Sequence, residues 1–201
     1  MLANTTNLRH KETHSFNISV WFLLSLGILM FKSGGLAVYA VCGALIHELG
    51  HLLAIFASGC SLKYVSFNLG GIRMGLKETP SRKRLLLILL SGCAANIFAV
   101  VAFKIFGGDS LRGFIFVGGN LVLCALNLLP HSSLDGGKLL RLALSSSANC
   151  EKIVFASDVA VVFILTLLGG LVFMLGGKDP TALLLALCLV AKLPIFGKKK
   201  H

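Results

Sequence analysis

Three apolar runs, Leu36–Ala57, Leu85–Phe106 and Ile153–Leu175, are each as long as a membrane-crossing helix. About 20 residues of helix cross the ~30 Å hydrocarbon core of a bilayer, within a range of about 17–25. Inside lipid every backbone amide must be bonded within the protein, so runs of this kind are helices. Leu111–Leu129 adds a fourth run, while Phe16–Phe31 and Thr181–Phe196 are shorter. Composition agrees. The chain is 56% hydrophobic and only 13% charged, against about a quarter charged in a soluble domain. The expected fold is an all-α polytopic membrane protein of about six transmembrane helices, or five if one short run fails to span.

The net charge of +11 would suggest a nucleic-acid partner in a soluble protein. Here the charge follows membrane topology, and no nucleic acid is expected. With six spans, one side receives both termini and the 58–84 and 130–152 segments. That side holds 15 of the 19 Lys and Arg residues, leaving Lys32, Lys104, Arg112 and Lys178 for the other. The positive-inside rule then places both termini in the cytoplasm. The first fifteen residues are polar and show no cleavage pattern, so the first run is expected to remain as an anchor. The six cysteines are scattered, with no CxxC pair, and read as small core residues.

The segment between the second and third runs has its own pattern. Val65, Phe67 and Leu69 alternate with Ser66 and Asn68; Ile72, Met74 and Leu76 alternate with Arg73 and Gly75. Gly70-Gly71 lies between them. Period-two alternation around Gly-Gly predicts a β-hairpin at the membrane surface. It is either a plain surface hairpin or an exposed edge for an extended peptide.

The second run contains His47-Glu48-Leu49-Gly50-His51. Residues four apart share a helix face, so His47 and His51 can aim two imidazoles at one metal. Glu48 lies beside the first ligand, where it can act as a base toward water at that metal. This is the HExxH pattern of zinc proteases. Its setting adds weight, because an ionised residue at the centre of a span costs ~3 kcal/mol and is rarely kept without a partner. The other reading is a polar packing cluster or an ion path.

Catalytic zinc takes three protein ligands and leaves one position open. Asp135 is the favoured third ligand. It follows the fourth run, beyond Pro130, and the Gly136-Gly137 pair after it is expected to let the backbone bend around the acid. The topology brings it to the side at which the second run ends. His131 and Asp158 are rivals. Asn96 and Asn127 are polar residues within spans, either functional or simply bonded across helices.

Taken together, His47-Glu48-Leu49-Gly50-His51, Asn127-Leu128-Leu129-Pro130 and Leu134-Asp135-Gly136-Gly137 resemble the site-2 protease family of intramembrane zinc metalloproteases. The resemblance covers about Leu36 to Arg141. The small size and extra first run look most like the branch of the sporulation protease that processes a sigma-factor precursor, without that branch's C-terminal regulatory domain. The resemblance implies one zinc ion on His47, His51 and Asp135, with Glu48 as general base. It implies that Asn127 holds the substrate carbonyl or oxyanion, and that Gly92 and Asn96 form a supporting pair on the third span, Asn96 toward substrate. Cys93 and Ser133 stand where the family often has proline. The expected organisation is a single domain over 1–201: a polar tail (1–15), a catalytic core (about 36–141) and additional helices (about 153–196). The expected activity is an endopeptidase cutting membrane-protein substrates in or near their transmembrane segments. It would sit in a bacterial membrane, open toward the cytoplasm, with a lipid bilayer, a membrane-protein substrate and a regulatory membrane protein as its partners. A zinc transporter and a catalytically inactive helix-binding scaffold are the alternatives.

Overall fold

The computed structural model describes residues 15–18, 37–68, 71–107, 110–175 and 181–190. Strand β1 (Ser15–Ile18) comes first, then α1 (Ala37–Ala57) and the hairpin β2 (Leu62–Asn68) and β3 (Gly71–Leu76). Five helices follow: α2 (Arg82–Phe106), α3 (Leu111–Asn127), α4 (Asp135–Ala143), α5 (Cys150–Met174) and α6 (Thr181–Val190). Among the described residues α1, α2 and α5 are long and apolar enough to cross a membrane, while α3 is a shorter apolar helix of 17 residues. The expected count of six also needs the first and last runs. Residues 19–31 and 191–196 of these lie outside the described residues.

The helices bury small and polar residues and expose large apolar ones, which is the reverse of a soluble bundle. On α1, Gly43, His47, Gly50, His51 and Ile55 recur at helical spacing and are buried. Leu45, Leu49, Leu53 and Phe56 form the opposite, exposed stripe. In water such a stripe would drive aggregation; against lipid tails it is matched to its surroundings. Packing between helices in lipid relies on close backbone approach at small residues. At Gly50 a Cβ would lie 2.5 Å from the Ser91 carbonyl oxygen and 2.7 Å from the Ala95 Cβ. That contact sets how closely α1 and α2 approach.

α1 packs on α2 and α3, α2 on α3 and α4, and α4 on α5, which in turn holds α6. Side chains cap two of the helices. Ser81 accepts from the Arg84 amide ahead of α2, and Ser110 from the Gly113 amide ahead of α3; such caps are typically worth about 1 kcal/mol.

The predicted hairpin is present, with β2 and β3 antiparallel from Leu62↔Leu76 to Asn68↔Gly71. The sheet has a third strand that the sequence reading did not expect. β1 pairs in parallel with β2, Ser15 opposite Tyr64 and Ile18 opposite Phe67. Its Ser-Phe-Asn-Ile alternation is strand-like, and it takes the first three residues, Phe16–Ile18, of the first expected span. The order β1-β2-β3 leaves the outer edge of β3 unpaired among the described residues. A small core of Ile55, Cys60 and Ile88 fastens the hairpin to the bundle, with Leu62, Met74 and Leu76 packed against it. The hairpin is thereby anchored one turn from His51.

A second departure is α4. Residues 130–152 were expected as a loop, yet Asp135–Ala143 is helical. Two glycines at its start lower its intrinsic propensity by ~1 kcal/mol each, and packing against α2 and α5 offsets this.

Replacing Gly50 by Ala should destabilise the fold by about 1–3 kcal/mol, the usual range for overpacking. Gly118, whose Cβ would meet nothing within 4 Å, serves as the control. Thermal denaturation in detergent should show a lower midpoint for Gly50→Ala and no loss for Gly118→Ala.

Candidate metal centre

Three ligand atoms from two distant segments converge between α1, α2 and α4. His47 Nε2 and His51 Nε2 are 3.1 Å apart. Asp135 Oδ2 lies 3.1 Å from the first and 2.8 Å from the second. The imidazole rings sit edge to face, with centroids 4.7 Å apart. All three residues are buried, at 4%, 9% and 5% exposure. They form the one group among the described residues whose His, Cys, Asp or Glu atoms could jointly hold a metal ion.

The surroundings fit a cation. His51 Nδ1 lies 2.7 Å from the Ile88 carbonyl oxygen. A carbonyl only accepts, so Nδ1 carries the proton and Nε2 of the neutral ring presents a lone pair. That lone pair faces a carboxylate oxygen and a second imidazole nitrogen. Acceptors crowded in this way repel one another unless a proton or a metal cation sits among them. Bonds of ~2.0–2.1 Å in a tetrahedral arrangement put ligand atoms roughly 3.3 Å apart, close to the separations found. The Ile88 contact is also the carbonyl partner that metal-binding histidines characteristically have. Ser91 Oγ lies 3.4 Å from the same Nδ1 and donates to the same carbonyl. The other nitrogen of His47, Nδ1, is buried with no partner among the described residues.

Asp135 is the first residue of α4, where the helix N-terminus favours an anion. Burial pushes its carboxyl pKa up. With no metal between them, imidazole N–H groups of His47 and His51 donate to it, and these bonds with the Lys138 ammonium outweigh burial and hold it well below the usual carboxylate range. Lys138 Nζ lies 2.8 Å from Oδ1, one helical turn along, leaving Oδ2 for the histidines.

Glycines make room for this arrangement. A Cβ at Gly92 would lie 2.5 Å from His51 Nε2 and 2.6 Å from His47 Cε1. At Gly136 and Gly137 a Cβ would come within 2.1 Å of the Leu128 and His131 carbonyl oxygens. The expected role of this pair, bending the chain around the acid, is therefore corrected. Both residues lie in the first helical turn, and they allow α4 to press back against the end of α3.

The rivals of Asp135 are engaged elsewhere. His131 is fully buried and pairs through Nδ1 with the Ser133 hydroxyl at 2.8 Å. Asp158 accepts the Ser132 amide at 2.6 Å. The two positions that depart from the family pattern also make bonds. Ser133 holds His131, and the Cys93 thiol of α2 reaches the Cys124 carbonyl of α3 at 3.6 Å. Asn96 is fully buried and bridges the same helices, donating to the Asn120 carbonyl at 3.4 Å. Asn127 ends α3, with its amide on the Leu123 carbonyl at 3.1 Å. Neither asparagine lines the cavity at the centre.

That cavity measures about 500 Å³. Glu48, His51, Ser132, Ser133, Asp135 and Lys138 give it a polar side. Ile55, Tyr64, Met74, Leu76, Leu85, Ile88 and Leu89 give it an apolar side shared by the hairpin, α1 and α2.

The structure superposes on the site-2 protease from Methanocaldococcus jannaschii with a TM-score of 0.59, covering 85% of this chain and 83% of that one. This is the site-2 protease fold. Sequence identity across the match is 20%. A protein of Synechocystis sp., named provisionally as a zinc metalloprotease, is 28% identical over 114 residues. That stretch is 52% of this chain and 30% of the relative, so the chain spans under a third of the relative's length. No protein-family model matches the sequence. What the motif alone did not predict is the short helix that carries the acid, packed against α2 and α5. Lys138 was missed for the same reason. Its spacing from Asp135 has meaning only once residues 135–143 are helical.

Replacing Asp135 by Ala should lower the zinc content of purified protein well below one per chain. Gly92→Ala should do the same without removing any ligand, because its methyl group displaces both imidazoles. Metal analysis of detergent-purified protein checks both.

Proposed function

We propose that this chain is an intramembrane zinc endopeptidase that hydrolyses peptide bonds in or near transmembrane segments of membrane proteins. The observation that carries the reading is the convergence of His47, His51 and Asp135 beside Glu48 in a cavity between membrane-length helices. His47, His51 and Asp135 would hold the metal. A zinc ion in such a site supplies Lewis-acid activation of water and of a carbonyl group.

Glu48 is half-buried, adjoins His47 in sequence and lines the cavity. It is assigned as the general base that takes a proton from water and returns it to the leaving amine. Asn127 is assigned as a donor to the developing oxyanion, worth about 3 kcal/mol where such donors have been removed. Its amide must first leave the Leu123 carbonyl and turn into the cavity, which it does not line in this structure. Asn96 is assigned a supporting role through α2–α3 packing, one turn from Gly92.

A transmembrane helix hides its peptide bonds in its own hydrogen bonds, so a substrate must unwind locally. The outer edge of β3 supports a way to receive it. An extended segment can add to that edge, and Met74 and Leu76 of the same strand line the cavity. The basic segments 58–84 and 130–152 lie at the same end of the bundle as the site. With the positive-inside rule, this supports opening toward the cytoplasm. The run ahead of the HExxH helix supports a place near the sporulation-type branch.

Glu48→Gln should keep zinc and fold while slowing cleavage of a tagged membrane substrate by at least about a hundredfold, the lower end for loss of a general base. Cleavage at the native rate would remove the protease reading. Asn127→Ala should lower kcat by a similar factor without changing zinc content or KM.

A further inference from the structure

Asp158 is a carboxylic acid nine residues into an apolar helix of 25, and the metal centre does not use it. It belongs to α5, outside the α1–α4 region that carries the motifs, and is 1% exposed. An ionisable group in such a place is expensive and is kept for a reason. Its Oδ1 accepts the Ser132 amide at 2.6 Å. Its Oδ2 is buried without a hydrogen-bond partner among the described residues.

Ser132 is three residues ahead of Asp135, in the turn joining α3 to α4. That turn is closed by the Leu134 amide on the His131 carbonyl at 2.8 Å. α4 rests directly on it: a Cβ at Gly137 would fall 2.1 Å from the His131 carbonyl oxygen and 2.6 Å from the Ser132 nitrogen. Wherever the Ser132 amide is fixed, the first turn of α4 is fixed with it, and Asp135 is the first residue of that turn. Ser132 and Ser133 also form part of the cavity wall.

We propose that Asp158 is a positioning residue: by holding the Ser132 amide, it fixes the start of α4 so that Asp135 meets His47 and His51. The inference rests on the reading of those three residues as a metal site. It gives α5 a part in metal binding without supplying a ligand. What the position requires is an acceptor oxygen at the right depth, rather than a negative charge. Asparagine can supply that oxygen. Alanine cannot, and glutamate places it one methylene too far.

The test is zinc affinity by chelator competition, with the visible spectrum of the cobalt-substituted protein as a report on ligand geometry. Both use full-length protein in detergent. Asp158→Ala should weaken zinc binding by about tenfold or more, the lower end for loss of groups that orient ligands, and should shift the cobalt bands. Asp158→Asn should stay within about threefold of the parent, with unshifted bands. Asp158→Glu should shift the bands despite keeping the charge. Parent-like affinity and spectrum in Asp158→Ala overturn the proposal, as does an Asp158→Asn protein as impaired as Asp158→Ala. If Asp158→Ala does not fold, the other pair decides. A parent-like Asn variant with a shifted Glu variant supports positioning, and the reverse pattern overturns it. If the parent protein binds neither zinc nor cobalt, the metal-site reading itself has failed, a result distinct from all of these.

Discussion

Three electron-rich atoms crowded together in a region of low dielectric are the constraint around which this molecule is arranged. Two imidazole nitrogens and a carboxylate oxygen, 2.8–3.1 Å apart, repel one another unless positive charge lies between them. Each is costly to bury alone. The structure meets part of this cost by placing a dipole behind His51 and a charge beside Asp135. The Ile88 carbonyl fixes the His51 proton. Lys138 and the N-terminus of α4 support the second oxygen and the charge of Asp135. The glycines follow from the same requirement. Gly92 leaves room for the imidazoles, and Gly136-Gly137 lets the acid-bearing helix come close enough.

The cavity is therefore chemically two-sided. Its polar side is the metal centre with the turn before α4, and its apolar side is the hairpin with the starts and ends of two membrane-length helices. On the proposed function, a peptide with large apolar side chains would meet both at once, its side chains facing Ile55, Tyr64 and Met74. The same Ile55–Ile88 core that fastens the hairpin borders the His51 contact.

Much of this was legible from the residues. Run length predicted α1, α2 and α5 to within a few residues, because lipid allows one solution for such segments. Alternation around Gly70-Gly71 predicted the hairpin. The HExxH spacing and Asp135 nominated the three residues that converge. Less was legible where a local pattern is weak and tertiary contact decides. α4 is nine residues long and opens with two glycines, so it exists through packing. β1 hid inside a run that reads as a span, although Ser15–Ile18 alternate. The role of the Gly136-Gly137 pair was misread, since a bend and a close approach leave the same mark in sequence. The partners of Asp158 and Lys138 could not be inferred until the turn and helix between residues 130 and 143 were in place.

The separation of His51 and Asp135, 84 residues along the chain, sets an order on biosynthesis. At about 5–20 residues per second, several seconds pass between synthesis of the histidine helix and synthesis of the acid. The turn that presents the acid is held by α5, which is made later still. During that interval the HExxH helix is in place without its third ligand. A chain built this way lacks the complete His47, His51 and Asp135 group throughout the synthesis of α1, α2 and α3.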